Sequence, residues 1–171
     1  MNQHLERLEG LAPLIQRPAR ELLARCQAQL KRTLFVVHGW RSLQEQALLY
    51  QQGRIYVRES GTWEVHDARK VVTHAKPGST PHNVIARTGE AASLAMDVIP
   101  LLENGQPDWH TPMSFWDELY AIAWDVGLDP LGDKIGAYLS GDLGHFEEPA
   151  WKLKLDALGL MLPSETTAAG V

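Results

Sequence analysis

The chain has 171 residues, 44% of them hydrophobic, and a formal net charge of −5. That length suits one domain with an ample core, and the acidic balance, with no basic cluster beyond Lys31-Arg32 and Arg69-Lys70, argues against a nucleic-acid partner, whose phosphates need concentrated positive charge. No apolar run approaches the ~20 residues of a membrane span, Cys26 stands alone so no internal disulfide can form, and the start Met1-Asn2-Gln3-His4-Leu5-Glu6-Arg7 lacks the basic and apolar stretches of a signal peptide, which predicts synthesis in the cytoplasm.

Leu5, Leu8, Leu11 and Ile15 recur at near-helical spacing, but Gly10 and Pro13 interrupt them, so a short helix and a turn are expected over 3–16. A firmer helix is expected from Pro18, a residue suited to a first helical position, with Leu22, Leu23, Cys26 and Leu30 on one face. Thr33-Leu34-Phe35-Val36-Val37 reads as a buried strand, and Gly39-Trp40-Arg41 as a turn. Ser42 and Glu45 form a capping box for a helix that ends at Gly53. Short strands are expected at 62–66 and 70–73, and Lys76 to Pro81 is a loop by composition. Residues 94–99 alternate as a strand up to Pro100. A polar loop over 101–113 leads to a helix capped by Ser114, with Phe115, Leu119, Ile122 and Ala123 inward and Gly127 as its stop. Glycine-rich loop, with room for one short strand, fills 128–144, and Pro149 opens a last helix through Leu158. Residues 163–171 read as a disordered tail, leaving 1–162 as the single domain. Helices and strands mix without a βαβ rhythm, so the expected class is α+β.

His82, Asp97 and His145 carry the strongest chemical signal. Two imidazoles and a carboxylate are the usual protein ligands of a first-row metal whose remaining position stays open for chemistry. Asp142 lies three residues before His145 and is a natural base for a water at such a metal. These residues point to a zinc hydrolase.

The segments around them resemble one family. Gly39-Trp40-Arg41-Ser42-Leu43-Gln44-Glu45-Gln46, then Leu49-Tyr50-Gln51-Gln52-Gly53-Arg54, resemble its opening signature. Val72-Thr73, Lys76-Pro77-Gly78 and His82-Asn83 are similar to its first ligand segment, Ala95-Met96-Asp97-Val98 to its second, and Asp142-Leu143-Gly144-His145-Phe146-Glu147 to its third. The family is the zinc L-alanyl-D-glutamate peptidases, phage endolysins among them, related to the zinc D-alanyl-D-alanine carboxypeptidases. The resemblance covers roughly residues 8–150. It implies the Hedgehog/DD-peptidase fold, a small antiparallel sheet packed with helices. It also implies Zn2+ on His82, Asp97 and His145, Asp142 as the catalytic acid, and Arg41 and Thr80 as substrate contacts. The implied partner is the peptidoglycan stem peptide, reached by a monomer that acts at the cell wall after release, in a lytic role, with no membrane insertion.

Two departures stand out. The gap between His82 and Asp97 is longer than in the family, and residues 84–93 hold the extra length, as a lid or as an altered specificity wall. A tryptophan-bearing family segment stands here as Gly127-Leu128-Asp129-Pro130-Leu131-Gly132, without the tryptophan.

Plainer readings stand beside these. His4, His38, His66, His74 and His110 read as ordinary surface or core histidines, with His66 and His74 the first exceptions to consider because they lie in loops near the ligands. Glu147 is a rival base, Arg41 an ordinary arginine paired with Glu45, and Thr80 a residue that holds its loop. Trp40, Tyr50 and Trp116 read as core. Two other functions compete: a D,D-carboxypeptidase or dipeptidase of the same fold, and a zinc-stabilised wall-binding domain without turnover.

Overall fold

The computed structural model describes residues 3–131 and 142–163. Residues 132–141 of the glycine-rich loop and the expected tail from 164 onward lie outside the described residues.

Two helices open the chain, α1 (Gln3–Glu9) and α2 (Pro13–Arg25). The second begins at Pro13, not at Pro18 as its sequence suggested. Pro13 takes the first helical position, where a missing N–H costs nothing. Pro18 lies inside the helix, where a proline costs about 3 kcal/mol. Burial of Ile15, Ala19 and Leu22 on one face offsets it, at roughly 1.5–3 kcal/mol for each large side chain. The helix runs into a wide turn over Cys26–Leu30 and stops at Lys31, whose φ is 55°.

Cys26 is fully buried there, its thiol donating to the Arg32 carbonyl at 3.3 Å. Burial pushes the thiol up to about 11. A thiol-specific reagent at pH 8 should therefore label Cys26 only after denaturant unfolds the chain. Rapid labelling of the native protein would contradict this placement.

Next come β1 (Leu34–His38) and α3 (Leu43–Gln51). The capping box forms as read: Ser42 Oγ accepts the Glu45 N–H at 3.1 Å, and the Glu45 carboxylate accepts the Ser42 N–H at 2.8 Å. A hairpin of β2 (Arg54–Val57) and β3 (Thr62–Val65) follows. The strand expected over 70–73 is absent, and β2 was missed. Asp67 accepts the Arg69 N–H at 3.2 Å and winds residues 68–70 into a single tight turn instead.

Residues 84–93 form neither lid nor wall. Within them β4 (Ile85–Ala86) pairs with β8 (Leu160–Met161), and Ser93 donates its N–H to Gly10 and accepts from Ala12. Val84 and Ala92 are buried. The segment is apolar enough to fasten both ends of the chain to the core, and none of it lines the cavity around the expected ligands.

The remaining elements are β5 (Ala95–Pro100), α4 (Met113–Val126), β6 (Asp129–Pro130), β7 (His145–Glu147) and α5 (Trp151–Lys154). The start of α4 is capped by Pro112 rather than Ser114, while Gly127, with φ 90°, ends it as read. Its inward residues Phe115, Leu119, Ile122 and Ala123 are buried, joined by Trp116 and Tyr120. The last helix is only four residues long and starts after Ala150, whose φ is 53°, rather than at Pro149.

Four antiparallel strands form one sheet in the order β1-β5-β7-β6. Its apolar face, through Val36, Met96 and Phe146, joins Leu8, Ile15 and Leu22 of the first helices and Leu119 and Tyr120 of α4 in one continuous core. This is the α+β architecture expected from the sequence, with a small antiparallel sheet packed with helices.

Candidate metal centre

Strand register builds the site. His38 of β1 lies opposite Asp97 of β5, and Asp97 lies opposite His145 of β7. Residues directly opposite on neighbouring strands point to one face, so three polar side chains form a row across the sheet. The row includes His38 only because the pairing slips between Val36 and His38. Such a bulge adds a residue and re-aims the side chains beyond it.

His82 arrives from above on a short turn, Pro81–Asn83. The turn is bound to the loop before α3. Arg41 N–H donates to the His82 carbonyl at 2.9 Å, Asn83 Nδ2 donates to the Arg41 carbonyl at 2.9 Å, and Gly78 N–H donates to Asn83 Oδ1 at 3.0 Å. Two glycines permit the approach. A Cβ on Gly39 would lie 2.3 Å from the Arg7 carbonyl oxygen, and one on Gly144 would lie 2.1 Å from that of Val98.

Three atoms converge. His82 Nε2 is 3.2 Å from Asp97 Oδ1, His145 Nδ1 is 3.0 Å from the same oxygen, and the two nitrogens are 3.3 Å apart. A tetrahedral ion with bonds of ~2.0–2.1 Å holds its ligand atoms about 3.3 Å apart. The triangle therefore has nearly the dimensions of one face of such a coordination shell. Among the described residues, these three side chains form the group able to hold a metal.

The rest of each side chain is tied so that the right atom faces inward. His82 Nδ1 donates to the Gly39 carbonyl at 2.7 Å, which leaves Nε2 as the acceptor. His145 does the opposite: its Nε2 lies 3.1 Å from Glu147 Oε2, which leaves Nδ1 for the ion. The outer oxygen of Asp97, Oδ2, takes a hydrogen bond from Arg41 Nη2 and has His38 Nδ1 at 3.4 Å. Outer partners of this kind select the tautomer and hold the ligand in place.

Protonation follows from these contacts. Burial lowers His82 against the pull of Asp97, keeping it in the neutral form that a metal requires. Burial alone would raise Asp97, but the surrounding imidazoles of His82, His145 and His38 outweigh it, and the carboxyl sits well below its usual range. Burial disfavours a charged His145, yet hydrogen bonds to Asp97 and Glu147 overcome it and push the imidazole up to about 10. An ion held by His145 Nδ1 would take the place of a proton there.

Glu147 has a clear role in this geometry, because its carboxylate holds the His145 ring. Glu147→Gln should weaken metal affinity by ~10–100-fold, the usual loss when an outer partner of a ligand is removed. Competition against a metal-chelating dye measures it, and an unchanged affinity would show that Glu147 does not orient the ligand.

The other expected site residues fall around this centre. Asp142 is exposed and lines the cavities on both sides of the ligands. Arg41 is buried. It pairs with Asp97 and donates Nη1 to Gln46 Oε1 at 2.9 Å, while Glu45 is occupied by Ser42. Its Nε has no hydrogen-bond partner among the described residues. The Thr80 hydroxyl accepts the His82 N–H at 3.5 Å and lines the same cavity.

His38 is the residue that sequence reasoning missed. His66 and His74, considered first as exceptions, are exposed and do not line this cavity. No periodicity marks His38, since its place in the row depends on a bulge.

No family model and no curated protein matches the sequence. Solved structures do. One is the L-Ala D-Glu endopeptidase ChiX of Serratia marcescens, at 16% identity and TM-score 0.50, covering 88% of this chain and 89% of that one. Another is the vancomycin-resistance D,D-pentapeptidase VanY of a VanB-type cassette, an E175A mutant in complex with Zn(II), at 16% identity and TM-score 0.53, covering 86% and 78%. The chain shares the fold of these two peptidases. Within that shared fold, the His82, Asp97 and His145 side chains are grouped to bind a metal ion.

Proposed function

We propose that the chain is a zinc peptidase of the bacterial cell wall that hydrolyses the L-alanyl–D-glutamate bond of the stem peptide, in a lytic, endolysin-like role. The observation that carries the reading is the triangle of His82 Nε2, Asp97 Oδ1 and His145 Nδ1, open to a cavity of about 320 Å³ that Asp142 also lines. Fold alone does not give function. This ligand set, with an exposed acid beside it, is the chemistry a metallopeptidase needs. The ChiX and VanY structures support the substrate class, because both are peptidases named for wall-type peptide bonds.

Zinc on the three ligands would supply Lewis acidity to the scissile carbonyl and lower the pKa of a water beside it. The protein's own residues do the rest. Asp142 takes the proton of the attacking water and returns it to the leaving amine nitrogen. Arg41, beside His38, places positive charge on the side of the cavity bounded by Leu49 and Thr80, which suits the free carboxylate of D-glutamate. The Thr80 hydroxyl, already fixed by the turn, faces the bound peptide.

The likeness to VanY favours a second reading, removal of D-alanine from the end of the stem. Mass spectrometry of purified muropeptides incubated with the zinc-loaded protein and with Asp142→Ala separates the two. A new D-glutamate amine, absent with the variant, supports the endopeptidase. Release of D-alanine supports the second reading. Intact muropeptides bound but uncut would leave a wall-binding domain.

A further inference from the structure

Two cavities meet at the ligands and share Asp97, Asp142 and His145. One, bounded by Leu49, Thr73 and Thr80, carries Arg41 and His38. The other, about 370 Å³, is bounded by Ile99, Trp116 and Leu143, with Trp109 at its rim. Trp109 is 78% exposed, the most exposed aromatic side chain described.

A largely solvated indole is an expensive way to decorate a loop, and this loop holds it firmly. The residue before it, Asp108, donates its N–H to the Pro100 carbonyl at 2.8 Å. Its carboxylate takes Arg32 Nη2 at 2.6 Å and the His110 N–H at 3.1 Å, and its carbonyl accepts the Thr111 hydroxyl at 3.0 Å. Every polar group of Asp108 is therefore committed. The backbone that carries Trp109 is anchored on both sides, and the ring is presented at the edge of the cleft.

Charge decides what passes over it. This inference rests on the endopeptidase reading given above. In an L-alanyl–D-glutamate bond, the residue on the amine side bears a free carboxylate. The residue on the acyl side is uncharged and is joined through a lactyl group to a muramic acid sugar. The carboxylate belongs with Arg41 and His38. The acyl half then runs across the ligands into the other cavity, where Ile99, Trp116 and Leu143 supply apolar walls and no lysine or arginine stands among the described lining residues. An exposed aromatic face at that rim suits the apolar C–H face of a hexose, because an indole offers large area at little entropic cost.

We propose that Trp109 is a specificity-determining residue that stacks on the muramoyl sugar at the acyl end of the substrate. The test compares a disaccharide tetrapeptide with the same tetrapeptide lacking sugar. For the zinc-loaded protein, Trp109→Ala should reduce the ratio of kcat/KM for the sugar-bearing over the sugar-free substrate by about tenfold, the size of a modest aromatic contact. Trp109→Phe should restore most of it. Trp124→Ala, an exposed indole on α4, is the control. A second readout needs no turnover. In the zinc-loaded Asp142→Ala background, the Trp109 indole N–H resonance, assigned by its absence from the Trp109→Ala spectrum, should move on adding the disaccharide tetrapeptide and stay in place with the free peptide. Equal loss on both substrates, or an indole resonance that responds to both ligands or to neither, overturns the proposal. A wild-type protein that cuts neither substrate overturns the peptidase reading instead, and the resonance still reports on the sugar.

Discussion

Replacing Asp142 with alanine is expected to leave the metal in place and to lower turnover by ~10²–10⁴-fold, the usual contribution of a general acid–base. The geometry separates this acid from its rival. Glu147 lies 3.1 Å from His145 Nε2, on the side of the ring away from the other ligands, and only 13% of its side chain is exposed. A carboxylate in that position is committed to holding a ligand. Asp142 is exposed, precedes His145 by one turn, and accepts the His145 N–H at its backbone carbonyl at 3.3 Å, so its side chain is free to face the cavity. Stoichiometric metal by elemental analysis, together with collapsed cleavage of muropeptides, would confirm the assignment. Full activity in Asp142→Ala would move the proton transfer elsewhere. Loss of the metal would make Asp142 a structural residue.

Much of this site was legible because its ligands sit in short, distinctive segments. His82 follows a loop rich in proline and glycine, Asp97 stands within an alternating strand, and His145 follows an acid and a glycine. What the segments could not show was how the side chains are oriented. Which imidazole nitrogen faces the ion depends on Gly39 for His82 and on Glu147 for His145, contacts set by tertiary approach. Arg41 has the same character. Its neighbour in sequence, Glu45, is a plausible partner, but the capping box uses that carboxylate and the guanidinium turns inward to Asp97. In the fold, local signals with a single physical meaning held, such as the Ser42 box and the stop at Gly127. Signals with two meanings failed. Pro13 reads as an interruption when it is a first helical residue, and residues 84–93 read as a lid or an altered specificity wall when they are packing surface. Local sequence does not say which buried face will outweigh a proline's lost hydrogen bond.

Metal removal should loosen the protein without unfolding it. The core of Leu8, Ile15, Leu22, Met96, Leu119 and Phe146 lies on the far side of the sheet from the ligands and is complete without an ion. The His145 Nδ1–H also lies within hydrogen-bond reach of Asp97 Oδ1 at 3.0 Å and of His82 Nε2 at 3.3 Å when no ion joins them. Chelated protein is therefore expected to keep its far-ultraviolet circular dichroism and lose all cleavage. Zinc binding only the folded state adds about 4 kcal/mol when free zinc exceeds Kd a thousandfold, and for a domain of this length that raises Tm by roughly 8–16 °C. His145→Ala removes one corner of the triangle and leaves the zinc only His82 and Asp97. Its Tm should no longer rise with zinc, and its activity should vanish with the metal. A zinc-induced rise in the variant equal to that of the wild type would place the ion elsewhere in the chain. Unfolding of the chelated wild type at room temperature would show instead that the ion, and not the apolar core, holds the sheet together.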